Sequence, residues 1–496
     1  MKMIYVYLEG HDYRYEVSEL IKVFYFNTEI KFIENKALID NQSLLIVSLL
    51  SDTLDKTSVV TRVLQYGETI TNNVIDDISK IDIKDNDNIK IYKIAIKQSI
   101  YNALSKINTI KVPWGILTGI RPTKIVHELL DKNIKSNHII NILTNEYKLS
   151  EEKASLILHI ATVERNVVDF NEYNRFSLYV NIPFCPTKCL YCSFLSNPIS
   201  KYSNLIDIYT DRLIYEINET SKLLKNSMID TVYIGGGTPT SLPIQNLQRI
   251  INKIQDIFGE NNIREFTVEA GRPDTINKEM LIMLRENNIR RISINPQTMW
   301  DKTLSLIGRK HTSKEIIDAF KLAKKIGFNT VNMDIIVGLP EEGPKEVEAT
   351  MKEIIKLNPE NLTVHTMAIK RSSRLKENLQ EYSLAAQSTI EEMLYITRDY
   401  ADKMGMYPYY MYRQKQILGN FENIGYSKAG KECIYNILIM EEKQTIIAVG
   451  AGGVSKFYFP KENRIERVPN LKDLREYLSR TEEMIRRKEK YIKALT

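Results

Sequence analysis

The sequence predicts an α/β protein built on a partial parallel (β/α)6 barrel, and three observations predict it. Between Phe176 and Ala368, short β-branched or apolar runs alternate with longer helical patterns, the periodicity of repeated βα units feeding a parallel sheet. There are six such runs, which suits a partial barrel rather than an eight-stranded one. Residues with site chemistry fall just past the ends of these runs, where parallel barrels keep their sites. Three domains are expected. They are an N-terminal α+β domain at 1–170, the partial barrel at 171–384, and a mainly helical C-terminal domain at 385–496.

The bulk numbers allow this plan. A chain of 496 residues can bury more than one core without disulfide staples. Its 43% hydrophobic and 26% charged content is that of an ordinary globular protein rather than a disordered one. Sixty-eight Lys and Arg against 62 Asp and Glu leave a charge of +6 spread along the chain. With no basic block, nucleic acid is not an expected partner. Met1–Tyr13 lacks a signal peptide's basic start and apolar run. The aliphatic stretch at Ser43–Leu50 is far short of the roughly 20 residues a membrane span needs. A cytoplasmic protein without a membrane partner, working as a monomer, is therefore expected. Of the four cysteines, three lie within eight positions, a pattern of metal or cluster binding rather than of disulfides.

The elements follow in order. Residues up to about Lys97 read as strand-rich, and helical patterns continue through Pro113-Trp114-Gly115 to Asn171. The barrel strands are expected at Ser177–Ile182, Thr231–Ile234, Glu265–Glu269, Arg291–Asn295, Thr330–Val337 and Asn361–Thr366. Helices between them are expected at Ser203–Leu224, Ile244–Ile257, Lys278–Glu286 and Ser313–Ile326, each long enough to cross back over a sheet. After the barrel come a helical stretch at Ala385–Met404, a Tyr-rich run at Tyr407–Tyr412, a strand at Thr445–Val449, a glycine turn, and a charged helix from about Leu471.

The first strand leads into Cys185-Pro-Thr-Lys-Cys189-Leu-Tyr-Cys192, a Cys-x3-Cys-x2-Cys loop. So short a loop can aim three thiolates at three corners of a [4Fe–4S] cubane and leave the fourth iron open to a small molecule. Structural zinc would need a fourth ligand, and none of the six histidines nor Cys433 is near in sequence. Zinc with a distant ligand stays an alternative, and Cys433 reads as an inert lone thiol. Further along, Gly235-Gly236-Gly237-Thr238 follows the second strand, Glu269 closes the third, Gln297 follows the fourth, Arg309 lies twelve positions beyond, and Asp334 stands inside the fifth. Glycines admit a close backbone approach. The Arg309 fork suits a carboxylate, and the acids suit an amine or ribose hydroxyls. Each of the charged residues, taken singly, is more often a solvated surface group.

The cysteine loop, with an aromatic before its last cysteine, resembles the radical S-adenosylmethionine superfamily. The wider set of motifs, from Pro113-Trp-Gly-Ile-Leu-Thr-Gly-Ile-Arg121-Pro-Thr-Lys to Gly450-Ala-Gly-Gly-Val-Ser-Lys456, resembles the oxygen-independent coproporphyrinogen III dehydrogenase group, most closely its HemZ-type branch. The resemblance implies a [4Fe–4S] cluster on Cys185, Cys189 and Cys192. It implies S-adenosyl-L-methionine held by Tyr179, Gly236, Gly237, Thr238, Glu269, Gln297, Arg309, Asp334 and Ala368. It implies decarboxylation of two propionates of a tetrapyrrole, coproporphyrinogen III, with a flavodoxin or ferredoxin as reductant. Arg272, Lys370 and Arg371 would be candidates to meet the propionates, and no catalytic side chain is assigned. The chain departs from the better-known bacterial members at two places, with Phe194 where they carry a further cysteine and Asn181 where they carry a histidine. Two rival readings are a haem-binding chaperone of the same family, with His311 or His365 as candidate haem ligands, and a radical enzyme on another substrate. Against the chaperone, its usual His-Asn-x-x-Tyr-Trp signature is replaced by Cys433-Ile-Tyr-Asn436 with no tryptophan beside it.

Overall fold

A computed structural model describes residues 3–26, 28–34, 43–53, 56–82, 87–119, 121–170, 172–224, 227–369, 373–377, 385–414, 417 and 420–495. The chain divides into two compact units, Met1–Ala161 and Thr162–Thr496.

The first unit holds a five-stranded sheet of β1 (Ile4–Glu9), β2 (Ile30–Ile33), β3 (Leu44–Asp52), β4 (Thr57–Gln65) and β5 (Glu68–Ile75), in the order β2-β1-β3-β4-β5. Val17, Leu20, Ile21 and Phe24 make one apolar stripe on the helix Arg14–Phe24. The helix Asn88–Ser105 brings Ala95, Ile96, Ile100, Ala103 and Leu104 into the same core, against Ile4, Val6, Ile46, Val59 and Val63 of the sheet. The i, i+3, i+4, i+7 spacing of the first set is what an amphipathic helix needs to cover a sheet. The first helix lies within the part expected to be strand-rich, and the second begins there and runs past Lys97 into the part expected to be helical. Helical structure then follows at Thr123–Asp131, Ser136–Asn145 and Glu151–Val167.

In the second unit the strands are β6 (Arg175–Ile182), β7 (Phe184–Cys185), β8 (Asn197–Pro198), β9 (Met228–Gly236), β10 (Glu265–Glu269), β11 (Arg291–Ser293), β12 (Thr330–Val337), β13 (Asn361–Thr366), β14 (Tyr407–Tyr412), β15 (Asn423–Ser427), β16 (Thr445–Val449), β17 (Val454–Phe459) and β18 (Arg464–Pro469). Eleven of them form one open sheet in the order β14-β15-β13-β12-β11-β10-β9-β6-β16-β17-β18. Its centre, β6-β9-β10-β11-β12-β13, is parallel throughout and runs in chain order. Unidirectional right-handed crossovers put every connecting helix on one face, so the other face is free to line a site. The α/β partial barrel stands, and its sheet does not close.

The strands alternate as a half-polar sheet should. Leu178, Val180, Val232, Ile234, Val268, Ile292, Val331, Met333, Leu362 and Val364 are buried apolar residues. Between them come Tyr179, Asn181, Tyr233, Glu269, Ser293, Asn332, Asp334, Thr363 and His365. The crossover helices start and stop on local signals. Thr312 and Glu315 form a reciprocal capping box at the start of Ser313–Ile326, and Gly327 ends it at φ 98°.

The structure differs from expectation at the C-terminus. The segment expected as a separate, mainly helical domain shares the barrel's unit and contributes five strands to its sheet. Beside β13, β15 and β14 pair antiparallel. On the opposite side β16, the strand expected at Thr445–Val449, lies parallel to β6, from Thr445 beside Phe176 to Val449 beside Val180. Exposed strand edges invite pairing, and these residues cover both edges of the six-stranded core.

Candidate functional site

The three cysteines sit where β6 ends. Ile182 closes the strand, Pro183 turns the chain, and Cys185 lies on the two-residue β7 beside β8. The glycine run at the end of β9 grips this loop. Gly237 N–H donates to Ile182 O at 2.7 Å and Thr238 N–H to Phe184 O at 2.8 Å, and Thr238 Oγ1 lies 3.5 Å from Cys185 Sγ. A Cβ on Gly237 would stand 2.5 Å from Phe184 O and 2.9 Å from Cys185 Sγ. Only glycine lets the two segments approach this closely. Past Cys185, Leu190 N–H donates to Ile307 O and Leu375 N–H to Leu190 O, both at 3.0 Å, while Cys192 N–H turns back onto Cys189 O at 3.2 Å.

Two arginines brace the loop from neighbouring strand ends. Arg272 is 3% exposed. Its Nε and Nη2 make a bidentate pair with Asp274 at 2.9 and 2.6 Å, and its Nη1 donates to Thr187 Oγ1 at 2.8 Å. Burial works against ionisation of Asp274, yet the His311 ring 3.4 Å away and the paired hydrogen bonds from Arg272 hold its carboxyl well below the usual range. Arg272 is thus committed to the cysteine loop rather than offered to a propionate. Lys370 and Arg371 lie outside the described residues. Arg309 reaches Asn295 O at 2.5 Å, Gly271 O at 3.3 Å and Tyr191 Oη at 3.3 Å. Tyr191 lies between the second and third cysteines, so the fork of Arg309 meets the loop itself.

The remaining expected residues gather on the polar face at the same end of the sheet. Tyr179 and Tyr233 are register partners on β6 and β9, and the Tyr233 hydroxyl donates to Glu269 Oε1 at 2.7 Å. Gln297 adopts φ 68° and forms a bridge to Ile335 beside Asp334, whose carbonyl accepts its N–H at 2.9 Å. A left-handed φ is strained for a non-glycine residue and tends to persist where surroundings over-determine it. Asp334 accepts from Asn332 Nδ2 at 2.7 Å and lies 3.7 Å from His365 Nε2, and His365 Nδ1 meets Tyr412 Oη at 3.1 Å. Ala368 is buried and bridges Ile417. The two carboxyls are driven apart. Burial, with Asp334 nearby, pushes Glu269 up to about 7 against the Tyr233 hydrogen bond. Asp334, despite burial, is held below the usual range by His365 and Asn332.

The donor set fits a cluster and a polar ligand. All three loop cysteines are free of disulfide bonds, as ligands of a metal or cluster must be. Burial raises the Cys185 thiol to about 11 and lifts Cys192 as well, so thiolates there need bound cations to exist at neutral pH. Beside them, Asn295 Oδ1, Gln297 Oε1 and Arg309 Nε are buried without a hydrogen-bond partner. Buried polar atoms are normally satisfied, and this group of orphans at adjoining strand ends is what a polar ligand would complete.

Some of the site was missed. The fourth cysteine, Cys433, is buried and 3.3 Å from Glu265 Oε1, and Glu265 begins β10 while the other three thiols lie past the opposite strand ends, so it does not substitute for a cluster ligand. Tyr435, two residues on, stacks on Tyr233 at 4.5 Å and Tyr179 at 6.1 Å. The period-two pattern of β9 could have found Tyr233, two residues ahead of Gly235. Nothing local marks Tyr435.

Comparisons with known proteins bear on the family and the fold. The model of the radical SAM superfamily matches residues 179–354. The chain is 40% identical over 419 residues to the oxygen-independent coproporphyrinogen-III oxidase-like protein HemZ of Bacillus subtilis (strain 168), covering 84% of each. It is 30% identical over 279 residues to the heme chaperone HemW of the same organism, covering 56% of this chain and 69% of HemW. The structure of the coproporphyrinogen III oxidase HemN from Escherichia coli superposes with a TM-score of 0.52 at 21% identity, over 66% of this chain and 73% of that one, a likeness of fold.

Proposed function

Since the chain belongs to the radical SAM superfamily, within the family of HemZ-type coproporphyrinogen-III oxidase-like proteins, we propose that it carries out oxygen-independent oxidative decarboxylation of coproporphyrinogen III to protoporphyrinogen IX. The carrying observation is the loop of Cys185, Cys189 and Cys192 locked to the Gly235–Gly237 turn, with orphaned polar atoms at the next strand ends. The cluster and S-adenosylmethionine would together supply one-electron cleavage of a sulfonium, and so a radical able to take a hydrogen atom from a propionate side chain. Loss of carbon dioxide, with the remaining unpaired electron passed to an external one-electron acceptor, would then leave a vinyl group, once at each of two propionates.

The protein's own part is holding and shielding. Cys185, Cys189 and Cys192 would ligate three irons. Gly236, Gly237 and Thr238 would admit the methionyl end without steric block, and Arg309 would face its carboxylate with the Nε that has no protein partner. Glu269, Asp334, Gln297, Tyr179 and Ala368 would line the nucleoside. The stacked Tyr179, Tyr233 and Tyr435 rings would fill the space beside it and keep water out. A low-potential flavodoxin or ferredoxin would deliver the electron. The test is anaerobic reconstitution with iron and sulfide, then incubation with coproporphyrinogen III, S-adenosylmethionine and dithionite. Protoporphyrinogen formation with matching 5′-deoxyadenosine supports the proposal. Deoxyadenosine with unchanged porphyrinogen would point to another substrate. The similarity to HemW favours one second reading, a haem chaperone, for which tight haem binding without turnover would be the sign.

A further inference from the structure

The C-terminal helix Thr481–Leu495 sends one lysine inward. Lys488 is 0% exposed, as is Glu216 on the helix Ile206–Leu223. Lys488 Nζ donates to Glu216 Oε1 at 2.5 Å and to Asn470 Oδ1 at 3.0 Å. Glu216 accepts three more bonds, from Asn470 Nδ2 at 2.8 Å, the Tyr477 hydroxyl at 2.6 Å and Gly450 N–H at 2.8 Å. A buried ion pair adds little net stability over a well-packed apolar pair of the same volume, but it demands one arrangement of its neighbours.

Here the arrangement is that of the Gly450–Gly453 turn. Asn470 Nδ2 also donates to Gly450 O at 2.9 Å, and Gly452 N–H to Leu471 O at 2.8 Å. Gly450 sits at φ 91°, and a Cβ there would stand 2.3 Å from Asn181 O and 2.6 Å from the Tyr209 hydroxyl. The turn therefore presses on the end of β6. Asn181 answers it, donating from Nδ2 to Ala451 O and accepting at its backbone oxygen from the Tyr209 hydroxyl. Its Oδ1 accepts from the Tyr179 hydroxyl at 3.0 Å and stands 2.3 Å from where a Cβ on Gly236 would be.

We infer that Lys488, Glu216 and Asn181 are positioning residues, a connected chain through which the C-terminal helix sets the shape of the cradle at Tyr179 and Gly236. The inference rests on the cofactor reading above only in naming what that cradle holds. It also gives Asn181 a task that depends on its being an amide: one donor and one acceptor on opposite partners.

Asn181→Ala and the double variant Glu216→Gln with Lys488→Met test it. The double variant leaves no unpaired buried charge. Equilibrium dialysis of S-adenosylmethionine against cluster-loaded full-length protein at matched iron content should show dissociation constants raised about tenfold in both, the scale of one lost positioning hydrogen bond. Hydrogen exchange at the Gly237 amide should quicken in both. A purely structural role would lower the melting temperature, leave the dissociation constants at wild-type values and quicken Gly237 no more than the other amides of the sheet, and that result overturns the inference. If the double variant does not fold, Asn181→Ala decides alone. If wild type itself binds no S-adenosylmethionine, the cofactor reading falls. The positioning chain is then judged on exchange, Gly237 protection unchanged relative to the sheet's other amides overturning it and selectively faster exchange upholding it.

Discussion

Gly237→Ala puts a single methyl group between the glycine turn and the cysteine loop. Its Cβ would stand 2.5 Å from Phe184 O, so the two segments must separate by at least 0.5 Å to reach even 3.0 Å, and backbone oxygen cannot swing aside as a side chain could. The separation stretches the bonds Gly237 N–H to Ile182 O and Thr238 N–H to Phe184 O. Overpacking of this kind costs about 1–3 kcal/mol and each of the two weakened bonds about 1 kcal/mol, for roughly 3–5 kcal/mol together. In a unit of this size that is a fall of roughly 4–7 °C in melting temperature. Because the methyl also stands 2.9 Å from Cys185 Sγ, iron per chain after reconstitution should fall as well. Calorimetry and iron analysis under anaerobic conditions read both effects. Gly430→Ala is the control for an added methyl without a clash, since Gly430 has nothing within 4 Å of its Cβ position, although unlike Gly237 it sits at a positive φ of 71°. It should lose about 1 kcal/mol to backbone strain and keep its iron. Full iron content in Gly237→Ala with a melting temperature matching Gly430→Ala would refute the reasoning.

Three further outcomes are expected. Cys189→Ser should keep the wild-type far-ultraviolet circular dichroism while losing the brown cluster absorbance and most of its iron; retention of a full cluster would remove Cys189 from the ligand set. Arg272→Lys should shed iron to a chelator several-fold faster than wild type, because an ammonium cannot pair both Asp274 oxygens and still reach Thr187, and equal release rates would count against the brace. Burial pushes Glu342 up to about 7 from 4.5 against the Thr298 hydrogen bond. The folded state therefore holds its proton more tightly than the unfolded chain, and stability declines as pH rises from about 4.5 through 7. Glu342→Gln should match wild type near pH 4 and exceed it by up to about 3 kcal/mol at pH 8; parallel denaturation curves across that range would show the carboxyl to be unshifted.

The core of the fold and the cysteine spacing of the loop were written locally, and the local signals were physical ones. All six barrel strands lie where alternating or apolar runs place them, and Lys278–Glu286 and Ser313–Ile326 are helices with the expected ends, because caps, glycine stops and one-sided apolar stripes act between residues a few positions apart. The Cys-x3-Cys-x2-Cys spacing was equally legible, since a cluster loop needs its thiols within one turn of chain. Arg272 misled, because a lone arginine near a strand end gives no sign of whether an Asp274 two residues away will engage both its nitrogens. Likewise Lys488 reads as one more basic residue on a charged helix, and its partner Glu216 lies 272 positions earlier.

Such pairs belong to the folded chain. Which edge of the six-stranded core would accept β16, and hence where the Gly450 turn would meet Asn181, depends on two open edges competing for the same C-terminal strands. In the folded chain β16 pairs with β6, Lys488 is buried against Glu216, and Tyr435 stacks on Tyr179. Hydrophobic period and turn chemistry are properties of neighbours along the chain, so a sequence displays them. Complementarity between surfaces hundreds of residues apart exists only once both surfaces have formed.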